Sequence, residues 1–156
     1  MSIFRTLLVA SLFFGIDQLS KWYVVWHLDL LNQRAIDVFP PFLNFRMAWN
    51  DGINFGIGGG ASRWLLIGLA VAISVGVVWW GRTKSGWFFT SCVGLIVGGA
   101  LGNVLDRILH GAVVDFLNMS CCGINNPFAF NLADVFIFVG AFSLILFGDK
   151  FEKQNT

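Results

Sequence analysis

The chain has 156 residues, of which 56% are hydrophobic, 16% aromatic and only 12% charged, with a mean hydropathy of +0.73 and a formal net charge of +1. Soluble domains carry roughly twice that share of charge, so the composition is that of a membrane protein, and at about 20 apolar residues per helical crossing there is room for four crossings. The near-zero net charge excludes the basic field that nucleic-acid binding requires.

From Ile3 to Trp26 the chain is apolar apart from Arg5, Asp17, Gln18, Lys21 and a few hydroxyls, which predicts a first spanning helix over about 3–26. It is too long for a signal-peptide core and has no small-residue cleavage site, so it is expected to be retained. Residues 27–63 change character: Pro40-Pro41, scattered charges and the alternation from Phe42 to Trp49 predict short strands, and the run Gly56 to Gly60 predicts a turn. Such a stretch belongs at the membrane surface, because irregular backbone in lipid leaves its amides unsatisfied.

A second span is expected over 64–80 and a third over 87–105, an antiparallel pair because the connector Gly81 to Gly86 is short. Small residues recur every fourth position in both, at Gly68, Ala72 and Gly76 and at Gly94, Gly98 and Gly102, a spacing that lets membrane helices approach closely. Residues 106–130 read as a second extramembrane stretch and 131–147 as a fourth span before a polar tail. Trp22, Trp26, Trp64, Trp79, Trp80 and Trp87 fall near the span ends, as interfacial anchors do.

The expected fold is therefore an all-α membrane protein, a single domain over 1–156. It has four transmembrane helices and a small extracytoplasmic β-containing platform between the first and second. Arg5, Arg82, Lys84, Lys150 and Lys153 fall on one side, densely, and Arg34, Arg46, Arg63 and Arg107 on the other, diluted by Asp29, Asp37 and Asp51. The positive-inside rule then places both termini in the cytoplasm.

Cys92, Cys121 and Cys122 have neither disulfide nor metal spacing, and His27 and His110 have no ligand neighbours, so no metal or cofactor is expected. A redox role for Cys121-Cys122 is set aside. Charged groups in or beside a span cost about 2.5–3.5 kcal/mol each on insertion, so each requires a reason. With this topology Asp17, Lys21, Asn103, Asp106, Arg107, Asp115, Asn131 and Asp134 gather at one interface. Asp17 with Lys21, four residues apart, reads first as a local ion pair, and Asp106 and Arg107 as helix-end or loop-organising groups. Asp134 stands in an otherwise apolar run with no basic neighbour, and Asp115 is its best partner. Two such carboxylates brought together cannot both ionise freely, which equips them as general acid and base on a peptide bond. On these grounds alone an ion-coupled transporter using Asp17, Asp115 and Asp134 competes equally, and a non-catalytic assembly factor is a third reading.

Six blocks narrow the choice. They are Asp17 to Lys21, Phe39 to Asn44, Asn50 to Gly56, Gly98 to Arg107, Gly111 to Phe116 and Phe130 to Asp134. In order and spacing they resemble the lipoprotein signal peptidases, the signal peptidase II family, from end to end. The last three, GNxxDR, VVDF and FNxAD, are the most specific. The resemblance implies a bacterial inner-membrane aspartyl endopeptidase that removes the signal peptide from diacylglyceryl-modified prolipoproteins, cutting immediately before the lipidated cysteine. It implies Asp115 and Asp134 as the catalytic pair. Asn50, Asn103, Arg107 and Asn131 would hold the substrate backbone or order the site, with Asp17, Lys21 and Asp106 in support. It also implies an active site near the outer interface, a monomer in contact with membrane lipids, and a target for cyclic peptide antibiotics of the globomycin type. The chain departs from the pattern at Asn54, where the family has a small residue, and Asn118 to Asn126 matches no assignable motif.

Overall fold

The computed structural model describes residues 1–52, 61–123 and 126–153. The apolar runs form four helices long enough to span a membrane: α1 (Ile3–Lys21), α3 (Ala61–Gly81), α4 (Trp87–His110) and α5 (Leu132–Lys153). A helix satisfies its own backbone, which is why hydrocarbon selects it for these stretches. Immediately after Lys21, α1 widens into a π-helical turn, Trp22–His27, closed by the Leu28 N–H donating to the Tyr23 carbonyl at 2.9 Å. The short helix α2 (Leu30–Gln33) then leads into strands β1 (Ala35–Phe39) and β2 (Leu43–Asn50).

Helix α4 is the axis of the bundle, with α1, α3 and α5 all packed on it. The small-residue stripe on α4 explains how α1 comes so close. A Cβ on Gly94 would lie 2.5 Å from Val9, one on Gly98 the same distance from the Ala10 carbonyl oxygen, and one on Gly102 the same distance from the Asp17 carboxylate. The equivalent stripe on α3 does not act this way: Gly68 and Gly76 have nothing within 4 Å, so the expectation of close packing there is corrected. The physical reason is position, since α3 lies at the margin of the bundle and turns these residues outward.

Two boundaries also differ from expectation. Helix α4 continues through Asp106 and Arg107 to His110 and stops where Gly111 takes the left-handed conformation (φ +86°), its N–H donating to the Arg107 carbonyl. Helix α5 runs beyond 147 to Lys153. The second extramembrane stretch contributes a strand as well, β3 (Val113–Asn118), so the platform is not drawn only from the segment between the first two spans. The sheet is antiparallel in the order β1-β2-β3, with Ala48 opposite Asp115 and Asn50 opposite Val113. It rests on a core of Val24, Leu30 and Phe116.

At the other end of the bundle the Met1 ammonium donates to the Lys84 carbonyl, Lys84 pairs with Glu152 at 2.5 Å, and the Phe88 and Phe151 rings stack at 4.2 Å. The start of α1, the α3–α4 connector and the end of α5 thus meet at the end opposite the sheet. The predicted Gly56–Gly60 turn and the Asn54 departure lie outside the described residues.

The glycine contacts yield a direct test. Gly102→Ala, which presses a methyl into a buried carboxylate, is expected to lower stability in detergent by about 2 kcal/mol, the usual scale for overpacking. Gly76→Ala, which meets open space, is expected to raise it by up to about 1 kcal/mol from helix propensity. Chemical unfolding of the two variants beside the parent chain measures both.

Candidate active site

Five elements, α1, β2, α4, β3 and α5, deliver the polar residues to one end of the bundle. Lys21 closes α1, and its ammonium donates to Asp17 Oδ2 at 2.7 Å and Asn103 Oδ1 at 3.4 Å and forms an ion pair with Asp106 Oδ2 at 2.7 Å. Lys21, Asp17 and Asp106 are each at most 2% exposed. One cation between two carboxylates leaves a buried excess of negative charge, and neutral donors meet it. The Ala133 N–H at the start of α5 donates to Asp17 Oδ1 at 2.9 Å, the Val114 N–H to Asp106 Oδ2 at 3.1 Å, and the Gln18 amide to both carboxylates at 3.1 Å. A helix N-terminus carries partial positive charge, so placing Asp17 at the start of α5 is favourable for the same reason. The sequence reading of Asp17 with Lys21 as a local pair is thus enlarged: the cluster ties α1 to α4, to the start of β3 and to the start of α5.

Above this cluster lie the two remaining carboxylates, Asp115 on β3 and Asp134 in the first turn of α5. Three asparagines connect and hold them, and the amide of each has its oxygen committed elsewhere. Asn103 Oδ1 accepts from Lys21, so its NH2 faces Asp134 Oδ1, at 2.9 Å. Asn131 Oδ1 accepts the Asp134 N–H at 3.0 Å while the Asn131 N–H approaches Asp134 Oδ2 at 3.4 Å, a reciprocal cap on α5. Its NH2 is thereby turned to Asp115 Oδ1 at 2.6 Å and to Asn103 Oδ1 at 3.1 Å. Asn50 Oδ1 accepts the Gly52 N–H at 3.0 Å, which leaves its NH2 to donate to Asp115 Oδ2 at 2.9 Å. Each amide presents protons to a carboxylate because its oxygen is already fixed.

Asp115 is 2% exposed, and burial, with a further push from the Asp134 carboxylate, raises its pKa to about 6. The hydrogen bonds from Asn50 and Asn131 oppose that rise. Arg107 lies within electrostatic reach of Asp134, Asp115 and Asp106 but makes no ion-pair contact with them. Its Nη1 donates to the Asn103 carbonyl at 3.3 Å, and its buried Nε has no hydrogen-bond partner among the described residues. It lies with Asn103 at the sheet-side end of a cavity of about 180 Å³, whose remaining walls are Ala70, Ile73, Ile96, Ala100 and Ile137.

The structure therefore gathers Asp17, Lys21 and Asp106 in one cluster and Asn50, Asn103, Asp115, Asn131 and Asp134 in the next. Sequence reasoning did not assign Gln18, whose only signal was an amide beside a carboxylate within a span. It also did not assign Asn118, buried, which donates to the Asn126 and Phe128 carbonyls at 2.8 Å each and anchors the loop after β3. Cys121 and Cys122 are exposed free thiols away from the site.

A four-span membrane protein that holds two carboxylates together at one end of its bundle is of a class equipped for acid–base chemistry. The comparisons with known proteins specify the class. The family described as signal peptidase II matches residues 9–148. The lipoprotein signal peptidase of Alteromonas mediterranea is 39% identical, with 97% of this chain and 86% of that protein covered. The lipoprotein signal peptidase of Polynucleobacter necessarius is 37% identical over 96% of this chain and 91% of its own. A bacterial membrane enzyme solved at 1.9 Å superposes with a TM-score of 0.77 at 28% identity, covering 92% of each chain, and another solved at 2.3 Å with a TM-score of 0.73 at 27% identity, covering 95% of this chain and 90% of the other. The chain belongs to the signal peptidase II family, as a multi-pass bacterial membrane protease of the aspartic class that acts on prolipoproteins. The transporter and assembly-factor readings of the same carboxylates fall with that assignment.

Removing one partner of a buried ion cluster leaves the others uncompensated, at a cost of about 3–5 kcal/mol. Lys21→Met is accordingly expected to lose that much stability or fail to accumulate. The triple variant Lys21→Met, Asp17→Asn, Asp106→Asn, which carries no buried charge at the cluster, is expected to recover most of the folded yield. Size-exclusion yield and unfolding in detergent measure both.

Proposed function

We propose that Asp115 and Asp134 are the catalytic pair that removes the signal peptide from diacylglyceryl-modified prolipoproteins, cleaving immediately before the lipidated cysteine. The observation that carries this reading is the amide bridge: Asn131 bonds Asp115 Oδ1 at 2.6 Å and Asn103 Oδ1 at 3.1 Å, and Asn103 bonds Asp134 Oδ1 at 2.9 Å. Two carboxylates from a strand and a helix thereby become one unit. With one of them protonated, the ionised carboxylate takes a proton from water, whose oxygen attacks the scissile carbonyl carbon, while the protonated one donates to the carbonyl oxygen. Collapse of the tetrahedral intermediate returns that proton to the carboxylate, and the departing amine takes the other from the acid that water left behind. The pair then stands as it began.

Arg107 and Asn103, facing the cavity between α3, α4 and α5, are suited to hold the substrate backbone, the guanidinium supplying donors and Asn103 already fixed in orientation. Asn50 and Asn131 order Asp115, and the Asp17, Lys21 and Asp106 cluster orders Asn103 and the start of α5. The sheet end of the bundle faces the outside, by the density of basic residues at the opposite end. A substrate anchored by its signal helix and two acyl chains then reaches the pair in the plane of the membrane, without leaving lipid. The segment from Leu28 through the sheet covers it there.

Cleavage of a purified diacylglyceryl-modified prolipoprotein, followed by gel shift, tests the assignment. Asp115→Asn and Asp134→Asn, each verified as folded in detergent, are expected to lose cleavage by at least about a thousandfold. Near-full activity in either would overturn the pair.

A further inference from the structure

Each histidine in the chain contacts two aromatic rings, but in different settings. His27 stacks on Trp22 and Tyr23 at 5.8 and 5.2 Å between centroids, all three within the π-helical turn. His110 instead joins three elements. It is the last residue of α4, and its ring lies 5.7 Å from that of Trp26, on the π-helical turn, and 5.7 Å from that of Trp49, on β2.

What makes this consequential is the neighbour of Trp49. Asn50, the last residue of β2, donates to Asp115 Oδ2 at 2.9 Å. Side chains alternate across a strand, so Ala48 and Asn50 face the Asp115 side while Trp49 faces the other. Ala48 is directly opposite Asp115, which makes Asn50 its diagonal neighbour, within reach only while the strand end keeps its register. The side chain of Asn50 is itself exposed, and it ends a strand whose pairing is already irregular between Phe45 and Ala48. Strand ends with few buried contacts open most readily. On the far face of this rung the Trp49 ring meets the exposed His110 ring, which also contacts Trp26.

We propose that His110 is a positioning residue for the peptidase reaction: in contact with both Trp26 and Trp49, it clamps the end of β2 to the end of α4 and so holds Asn50 on the Asp115 carboxylate. The proposal rests on the Asp115–Asp134 reading. Interfacial anchoring by the two tryptophans accounts for their exposure but not for a histidine ring in contact with both. A clamp of this kind acts on the reacting state and not on substrate capture, since none of its three rings lines the cavity at Arg107.

The test is a double-mutant cycle on His110 and Asn50, read by kcat and KM with the diacylglyceryl-modified prolipoprotein, with Asp115→Asn as the reference for the underlying reading. Aromatic pairs contribute a few-fold each, so His110→Ala is expected to lower kcat by about five- to tenfold with KM changed by less than about twofold. His110→Phe, which keeps a ring in the stack, is expected to return kcat to within about twofold of the parent. In an Asn50→Ala background the His110→Ala change is expected to have almost no further effect, because the bond it maintains is gone. An inactive Asp115→Asn together with unchanged kcat in His110→Ala overturns the clamp, as does failure of His110→Phe to rescue. Fully multiplicative effects of His110→Ala and Asn50→Ala overturn it too, since the two would then act independently. Retained cleavage by Asp115→Asn instead overturns the catalytic pair itself, and the clamp's purpose with it.

Discussion

The buried ammonium of Lys21 is the constraint from which the site is built. A lysine this deep in a membrane protein is stable only with its charge paired, and here two carboxylates pair it while an amide oxygen accepts a further hydrogen bond. The consequences run outward. Asp17, held by Lys21, receives the first turn of α5, and Asp106 receives the first residues of β3. The acceptor amide, Asn103, is thereby fixed with its NH2 toward Asp134. A single cation thus sets the positions of the two elements that carry Asp115 and Asp134, and the donor that one of them sees.

The same logic recurs at Asn131 and Asn50. A helix cap fixes one and a turn to Gly52 fixes the other, so backbone geometry decides which way each amide points. The carboxylates are consequently surrounded by donors that need no rearrangement when charge moves between them. Donors fixed beforehand act more strongly on developing charge than donors that must turn to meet it. Helix α4 makes the arrangement compact, because glycine at 94, 98 and 102 lets α1 bring Asp17 and Lys21 within bonding distance of Asp106.

Much of this was legible in the sequence, and the rest was hidden for identifiable reasons. Hydropathy located the four spans because lipid permits few alternatives to a helix. It placed the end of α4 at Leu105 because Asp106 and Arg107 look like a water boundary, whereas Asp106 is paired inside by Lys21, a partner 85 positions away that no local pattern contains. Strand β3 was missed because Val113, Val114, Asp115 and Phe116 are buried on both faces, which erases the alternation that marks a half-buried strand. The stripes on α3 and α4 are identical in spacing, and only the packing distinguishes a contact surface from an outward one. The site residues were assigned through the order of the family blocks. Their individual chemistry gave only Asp134 clearly, as a carboxylate in an apolar run, while the roles of Asn50, Asn103 and Asn131 depend on the orientation of an amide.

The central claim is that Asp115 and Asp134 work as a coupled pair whose ionisation the asparagines set, and the pH dependence of kcat/KM tests it most directly. With the Asp115 pKa raised to about 6, loss of the protonated carboxylate should cut kcat/KM progressively as pH rises above about 6. The Asn50 hydrogen bond opposes the upward push of burial on that pKa, so Asn50→Ala should move this alkaline limb to higher pH. A profile flat from well below 6 to well above it, or an alkaline limb that stays in place or moves to lower pH in Asn50→Ala, would contradict the account.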